Sequence, residues 1–73
     1  MSSVQVHRRL LGHAVWSTRK KVGLTQEKLA EKSNLSTVFI SRIERGVESP
    51  SVDNLVKIAK ALGVKTADLV GEF

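Results

Sequence analysis

The chain has 73 residues, with 12 lysines and arginines against 7 acidic residues, and carries a formal net charge of +5. It has no cysteine, which excludes a disulfide framework and a thiolate metal site and fits a reducing compartment. No apolar run approaches the roughly 20 residues of a membrane-spanning helix, and the polar start lacks the apolar region of a secretory signal. We therefore expect one small cytoplasmic domain over residues 1–73, whose basic charge suits an anionic partner.

The first predicted helix begins near Ser3 or Val4 and ends at Val22. Ser2 and Gln5 have the spacing of a capping box, in which each side chain satisfies a backbone N–H group of the other residue. Apolar or small side chains recur at intervals of four, three and four and predict a stripe facing the core, namely Leu11, Val15, Thr18 and Val22.

Residues 24–46 predict two short helices joined by a tight turn. Thr25 is a candidate N-cap for a helix over about residues 26–33. Asn34 then ends this helix, because asparagine tolerates the left-handed backbone conformation better than most non-glycine residues. A sharp change of direction is therefore expected at Asn34.

The second helix of this pair begins after Ser36, a candidate N-cap, and Gly46 follows its C-terminus. Ile40 and Ile43 lie three residues apart and predict the buried face. The opposite side of the helix is expected to face outward and carries Thr37, Val38, Ser41, Arg42 and Arg45. One face packs against the core, and the other is free to contact a partner.

Two further helices are predicted in the last third of the chain. Pro50, the only proline, lies in the loop before a helix that Ser51 caps and Gly63 ends. The buried face of this helix is predicted to consist of Leu55, Ile58, Ala59 and Leu62. Thr66 is a candidate N-cap for a short fifth helix that ends near Val70. The pattern predicts an all-α fold with five helices around one core.

Two short helices around a tight turn, with a polar outer face on the second, form the layout of a DNA-reading helix-turn-helix. The segment resembles the helix-turn-helix of phage Cro and repressor proteins and of the wider xenobiotic-response-element type of bacterial regulators. The matching residues are Gln26, Ala30, Leu35, Ser36 and the run from Ile43 to Gly46. Further matches in the first and fourth helices extend the resemblance from about Leu10 to Val70.

This resemblance implies a compact, five-helix, lambda-repressor-like DNA-binding domain in which helices two and three form the helix-turn-helix. Three residues depart from the family pattern. Asn34 replaces the usual glycine, and asparagine tolerates the left-handed conformation expected there. Thr18 replaces a large aliphatic residue and should thin the core, and the role of Trp16 does not follow from the family. We expect Trp16 to cover the edge of the core or to meet a partner subunit.

Direct contacts to bases are expected from the N-terminal part of the second motif helix, which enters the major groove. The candidates are Ser36, Thr37, Val38, Ser41 and Arg42. Arg42 can bind guanine O6 and N7 together, and such a contact discriminates against other bases by roughly 1–3 kcal/mol. Alternatively, Arg42 is a solvated charge. Val38 suits a thymine methyl group, unless it packs against a neighbouring loop.

Phosphate contacts are expected where the first motif helix begins, because the N–H groups of a helix N-terminus favour anions. Gln26 lies there, and the resemblance implies that its side chain contacts the DNA backbone and braces the second helix. Arg45 and Ser49 are expected to bind flanking phosphates, although Arg45 can also complement the helix dipole. The resemblance further implies that Arg19 pairs with Glu44 and sets the tilt of the second helix.

Catalysis has little support in this sequence. His7 and His13 fall on roughly opposite sides of the first helix, and neither has a carboxylate or thiol neighbour in sequence. The chain contains neither a glycine-rich phosphate loop nor a nucleophile elbow. We expect neither an enzyme nor a bound metal, cofactor or small-molecule ligand.

A homodimer is expected, because a domain of this size is marginally stable alone and no sensing domain is evident. The second motif helix of each subunit would then read one half of a palindromic operator, with the half-sites about one turn of the DNA helix apart. The expected dimer surface consists of Val64, Leu69, Val70 and Phe73. Leu69 could instead close the monomer core.

An activator would also need to contact RNA polymerase, for which Glu44 and Glu48 are candidates.

We therefore predict a sequence-specific transcriptional regulator, similar to the controller proteins of restriction-modification systems and to the smallest phage repressors. One alternative is a protein-binding module, such as an antitoxin, that holds another protein on its apolar C-terminus. A second alternative is a non-specific chromatin-compacting protein, which would show steep salt dependence with little sequence preference.

Overall fold

Five α-helices make up the fold of residues 2–71, the part of the chain that the computed structural model describes. They are α1 (Ser3–Val22), α2 (Gln26–Ser33), α3 (Thr37–Glu44), α4 (Val52–Leu62) and α5 (Thr66–Val70). The predicted all-α, five-helix fold is confirmed, with α2 and α3 forming the helix-turn-helix. None of the described helices is long and apolar enough to span a membrane.

Short-range hydrogen bonds explain where the first four helices begin. At the start of α1, Ser2 and Gln5 form both bonds of a capping box, at 3.0 and 3.2 Å. The side chains of Thr25, Ser36 and Ser51 each accept a hydrogen bond from the backbone N–H three residues later, at 3.0–3.1 Å. The predicted caps of these helices are therefore correct.

The ends of α2 and α5 show how the turns form. Asn34 ends α2 in the left-handed conformation, with φ 58°, as its side-chain chemistry suggested. The predicted cap of α5 is wrong: Lys65 occupies the N-cap position, and Thr66 is the first helical residue. The reason is that the Asp68 carboxylate accepts a hydrogen bond from the backbone N–H of Lys65 at 2.9 Å, which draws Thr66 into the helix.

The core is built from one face of each helix. Its fully buried large side chains are Val15, Leu29, Ile40, Ile43, Ile58 and Leu69. The predicted stripe on α1 is only partly correct, because Val22 is 47% exposed. Arg19 rather than Val22 takes the buried position near the end of α1.

Gly12 is the point at which α1 crosses α3. A Cβ atom at this position would overlap the backbone carbonyl oxygens of Ile43 and Glu44. Only glycine allows the two backbones to approach this closely without a shift of one helix. This contact sets the position of the C-terminal end of α3 against α1.

Leu69 requires a correction. It was expected first as a dimer contact, but it is 1% exposed and belongs to the core of the single chain. The reason is that α5 packs against both α1 and α4, which encloses the Leu69 side chain. Val64 and Val70 are partly buried against the same core, and Phe73 lies outside the described residues.

Candidate nucleic-acid interface

The two faces of α3 differ in burial. Ile40 and Ile43 on the inner face are fully buried. The outer face brings together the predicted contact residues, of which Val38, Arg42 and Arg45 are exposed while Thr37 and Ser41 are half-buried. Ser36 is exposed just before the helix, where its hydroxyl oxygen caps the Phe39 N–H. An outward surface of mixed polar and apolar groups therefore projects from a helix whose inner side is locked in the core.

Val38 has the most exposed side chain on this helix, at 68%. The alternative that it packs against a neighbouring loop is therefore wrong for the described residues. Exposing a branched apolar side chain gives no stability to the folded domain, because the hydrophobic effect rewards only burial. An apolar contact with a partner would supply that burial.

Arg42 does not extend freely into solvent. Its Nε atom donates a hydrogen bond to Glu48 Oε1 at 2.6 Å, and the two side chains are 48% and 36% exposed. The bond uses only one of the five N–H groups of the guanidinium. The two terminal nitrogens are held in a preferred direction, and their N–H groups are the ones that a guanine edge requires.

A buried polar network fixes the C-terminal end of α3. Arg19 donates from Nε to Glu44 Oε2 at 2.7 Å and from Nη2 to Glu44 Oε1 at 3.0 Å. Its Nη1 atom donates to the backbone oxygen of Leu24 at 2.9 Å, and Gln26 Nε2 donates to Glu44 Oε1 at 3.0 Å. The network connects α1 and the start of α2 to the last residue of α3.

The charge of Arg19 in this network is constant near neutral pH. Hydrogen bonding to Glu44 raises the pKa of the Arg19 guanidinium above its ordinary value, although burial opposes the shift. Arginine with a raised pKa stays protonated in the folded and the unfolded chain at neutral pH, so its stabilising contribution is fully present there.

Three of the residues predicted to contact phosphate lie near the two ends of the motif. Gln26 is the first residue of α2, and its side chain braces α3 through Glu44. Arg45 is exposed and follows α3 directly as its C-cap. Ser49 lies in the loop before α4, where its Oγ atom accepts a hydrogen bond from Arg8 Nε at 3.0 Å.

Arg8 and Arg9, in the first half of α1, are the residues that sequence reasoning missed. Arg8 contacts Ser49, and Arg9 lies directly against Gly46. The only sequence signal was a pair of adjacent arginines in a basic chain, and such pairs are usually solvated. Their position beside the end of α3 depends on the crossing of α1 and α3, which brings together residues as far apart in sequence as Arg8 and Ser49.

Trp16 occupies an intermediate position between the two expected roles. It is exposed and stacks on His13, with ring centroids 5.8 Å apart and an angle of 28° between the rings. The pair lines a shallow groove together with Arg9, Glu44 and Arg45. Trp16 is not among the side chains that pack against the core cluster, so the core-edge role gains no support, and contact with a partner subunit stays a prediction.

Other chemistry is not apparent in residues 2–71. Histidine and acidic side chains in this range form no group of three that could hold a metal ion. Glu44 is also unsuited to contact RNA polymerase, because its side chain is 4% exposed and already accepts three hydrogen bonds. Of the two acidic candidates, Glu48 alone is accessible.

Comparison with known proteins places this geometry in a family. A family model described as helix-turn-helix matches residues 17–69. Control protein C.BamHI of Bacillus amyloliquefaciens is 47% identical over 64 residues, which cover 86% of this chain and 79% of that protein. The immunity repressor protein of Bacillus phage phi105 is 42% identical over 62 residues, covering 85% of this chain but only 43% of that protein.

Solved structures give the same result. The restriction-modification controller protein C.AhdI from Aeromonas hydrophila superposes with a TM-score of 0.86 at 31% identity, over 88% of this chain and 97% of that chain. A mutant of the controller protein C.Esp1396I superposes with a TM-score of 0.84 at 31% identity, over 92% of this chain and 89% of that chain. These matches confirm the resemblance to phage repressors and controller proteins. The chain belongs to the helix-turn-helix family of DNA-binding transcriptional regulators.

Proposed function

We propose that this chain is a homodimeric regulator that reads a palindromic operator with the outer face of α3. The observation that carries the proposal is the contrast between the two sides of this helix. Its inner face and C-terminal end are locked by the core and by the Arg19–Glu44–Gln26 network. Its outer side chains are accessible, so they can be presented to base edges in a constant orientation.

Arg42 is proposed to read guanine. Because Glu48 holds Nε, both terminal nitrogens of Arg42 can donate to O6 and N7 of one guanine. Val38 lies one turn earlier on the helix and can contact a thymine methyl group at a nearby base pair. Ser36, Thr37 and Ser41 can donate or accept hydrogen bonds, and we assign them to neighbouring bases or phosphates.

Phosphate contacts are proposed at both ends of the motif. The first N–H groups of α2 have no acceptor within the helix and carry partial positive charge. Gln26 Nε2 has a second hydrogen beyond the one it donates to Glu44, and this hydrogen can be donated to a phosphate oxygen. Arg45 and Ser49 supply the corresponding contacts beyond the C-terminus of α3.

Two copies of the chain would place their α3 helices in successive major grooves, about 34 Å apart. We propose that the exposed parts of Val64 and Val70 contribute to the dimer contact, without Leu69. We assign any activating contact with RNA polymerase to Glu48, the accessible one of the two acidic candidates. The family and the absence of a spanning helix in the described residues support a cytoplasmic location.

The antitoxin alternative loses its main support. It depended on an apolar surface formed by Val64, Leu69, Val70 and Phe73. Leu69 is buried in the monomer, while Val64 and Val70 are partly covered by the same core. No observation among the described residues favours a protein partner over DNA.

The proposal is tested by selecting binding sites for the purified protein from a random duplex pool at near-physiological salt. The expected result is a palindromic consensus with half-sites about one helical turn apart, bound by two chains in sedimentation analysis. Recovery of unenriched sequences with steep salt dependence would instead indicate non-specific packaging. A consensus without two-fold symmetry, bound by one chain, would contradict the homodimer.

A further inference from the structure

A cationic groove lies beside the C-terminal end of α3 and shares only Arg45 with the outer face of that helix. It has a volume of about 550 Å³. Its lining consists of Gln5, Arg8, Arg9, Arg45, Gly46 and Val47. Three of these six residues are arginines, and none is acidic, so the groove favours an anion.

The groove is held in place by contacts across its floor. Arg8 Nε donates to Ser49 Oγ at 3.0 Å, which joins α1 to the loop before α4. Gly46 has a φ of 75° and lies so close to α1 that an added Cβ would be 3.0 Å from the Arg9 Cγ and 3.2 Å from its Cα. The first half of α1 is therefore packed firmly against the turn that follows α3.

The charges of the groove are not neutralised within the described part of the chain. No described carboxylate forms an ion pair with Arg9 or Arg45. Glu44 is near them, but its two oxygens are occupied by Arg19 and Gln26. Glu48 is likewise engaged by Arg42. The guanidinium groups of Arg9 and Arg45 are thus available to an external anion.

The position of the groove identifies that anion. Helix α3 has eight residues and is therefore about 12 Å long, similar to the roughly 12 Å width of the major groove of B-DNA. When α3 occupies the major groove, the residues that follow its C-terminus reach the sugar-phosphate strand at the groove edge. Arg45 and Gly46 are those residues, and Arg9 lies directly above Gly46.

We propose that this groove is a second phosphate-binding site, in which Arg8, Arg9 and Arg45 hold the DNA strand that flanks each half-site. The site extends the DNA contact from the helix-turn-helix to α1. This inference rests on the proposed function, because it assumes that α3 enters the major groove. Phosphate contacts position the protein without reading sequence, so Arg9 should contribute equally to every operator variant.

The test compares Arg9→Gln with wild type on the selected operator, by fluorescence anisotropy between 50 and 200 mM salt. One lost phosphate contact lowers the slope of log K against log salt by about 0.9. The fourfold increase in salt should then reduce affinity about 3.5-fold less for Arg9→Gln than for wild type. Arg9→Lys keeps the charge and should retain the wild-type slope.

Lys60→Gln is the matched control, because it removes one exposed positive charge from α4, outside the groove. Neutral methylphosphonate linkages flanking the half-site should weaken wild type more than Arg9→Gln, which retains only Arg8 and Arg45 for those phosphates. Two results would overturn the groove site alone, provided that wild type binds its operator specifically. One is a slope of log K against log salt that is unchanged in Arg9→Gln. The other is a decrease in slope in Lys60→Gln equal to that in Arg9→Gln. Failure of wild type to select any operator would overturn the proposed function instead.

Discussion

Glu44→Gln should destabilise the domain strongly, although the substitution removes only one charge and almost no volume. Three donors converge on the Glu44 carboxylate, two from Arg19 and one from Gln26. A glutamine has one accepting oxygen, and its amide group would face an N–H donor. Arg19 remains charged in the variant because a guanidinium is not deprotonated in proteins near neutral pH, so a buried guanidinium would lose its counter-ion.

The cost can be estimated from the burial of the pair. The Arg19 and Glu44 side chains are 9% and 4% exposed, and removal of one partner of such a pair costs about 3–5 kcal/mol. We take about 3 kcal/mol, because Arg19 keeps its hydrogen bond to the Leu24 carbonyl. A domain of this length has a free energy of unfolding of only about 4–11 kcal/mol. The expected decrease in Tm is about 12–24 °C.

Glu48→Gln provides a matched control for this measurement. Glu48 accepts from Arg42 Nε at 2.6 Å, a distance similar to that of the buried pair, but the two side chains are 48% and 36% exposed. Surface pairs contribute about 0–1 kcal/mol, so Glu48→Gln should lower Tm by about 8 °C at most. Thermal unfolding followed by circular dichroism gives both values.

Equal effects of the two substitutions would refute the reasoning, because the Glu44 side chain is buried and accepts three hydrogen bonds, whereas the Glu48 side chain is partly exposed and accepts one from Arg42. The result for Glu44→Gln should also be independent of buffer pH near neutrality. The Arg19 guanidinium stays protonated across that range both in wild type, where Glu44 raises its pKa, and in the variant, because arginine is not deprotonated near neutral pH.

Three further substitutions test the reading helix, the helix crossing and the core. Arg42→Ala should lower operator affinity roughly tenfold to a hundredfold and relax the preference at one base pair; equal weakening on all operator variants in a binding assay would contradict this role. Gly12→Ala should cost about 1–3 kcal/mol of stability in urea unfolding, because the new Cβ overlaps backbone oxygens of α3; an unchanged midpoint would argue against the close crossing. Leu69→Ala should cost about 2–5 kcal/mol without altering the dimerisation constant in sedimentation analysis. A weaker dimer with unchanged stability would return Leu69 to the interface.

Most of the local structure was predictable from residues close together in sequence. Ser2, Thr25, Ser36 and Ser51 cap helices as expected, because each side chain bonds a backbone N–H three residues away. The error at Thr66 also has a local origin, since the Asp68 carboxylate accepts from the backbone N–H of Lys65 and makes Lys65 the residue before the helix.

The candidate site was predictable only in part. The periodicity of α3 correctly separated buried Ile40 and Ile43 from exposed Val38 and Arg42, because helical geometry alone determines which residues share a face. It did not reveal that Arg42 is held by Glu48, because that contact depends on the path of the turn after α3.

The sequence by itself determined the helices, their caps, the turn at Asn34 and the two faces of α3, since these depend on hydrogen bonds and spacing within a few residues. Only the tertiary structure decided which side chains meet across the chain. The crossing at Gly12 brings Arg8 and Arg9 beside residues 45–49. The packing of α5 against α1 and α4 buries Leu69. Both outcomes follow from how closely whole helices can approach, which no local pattern specifies.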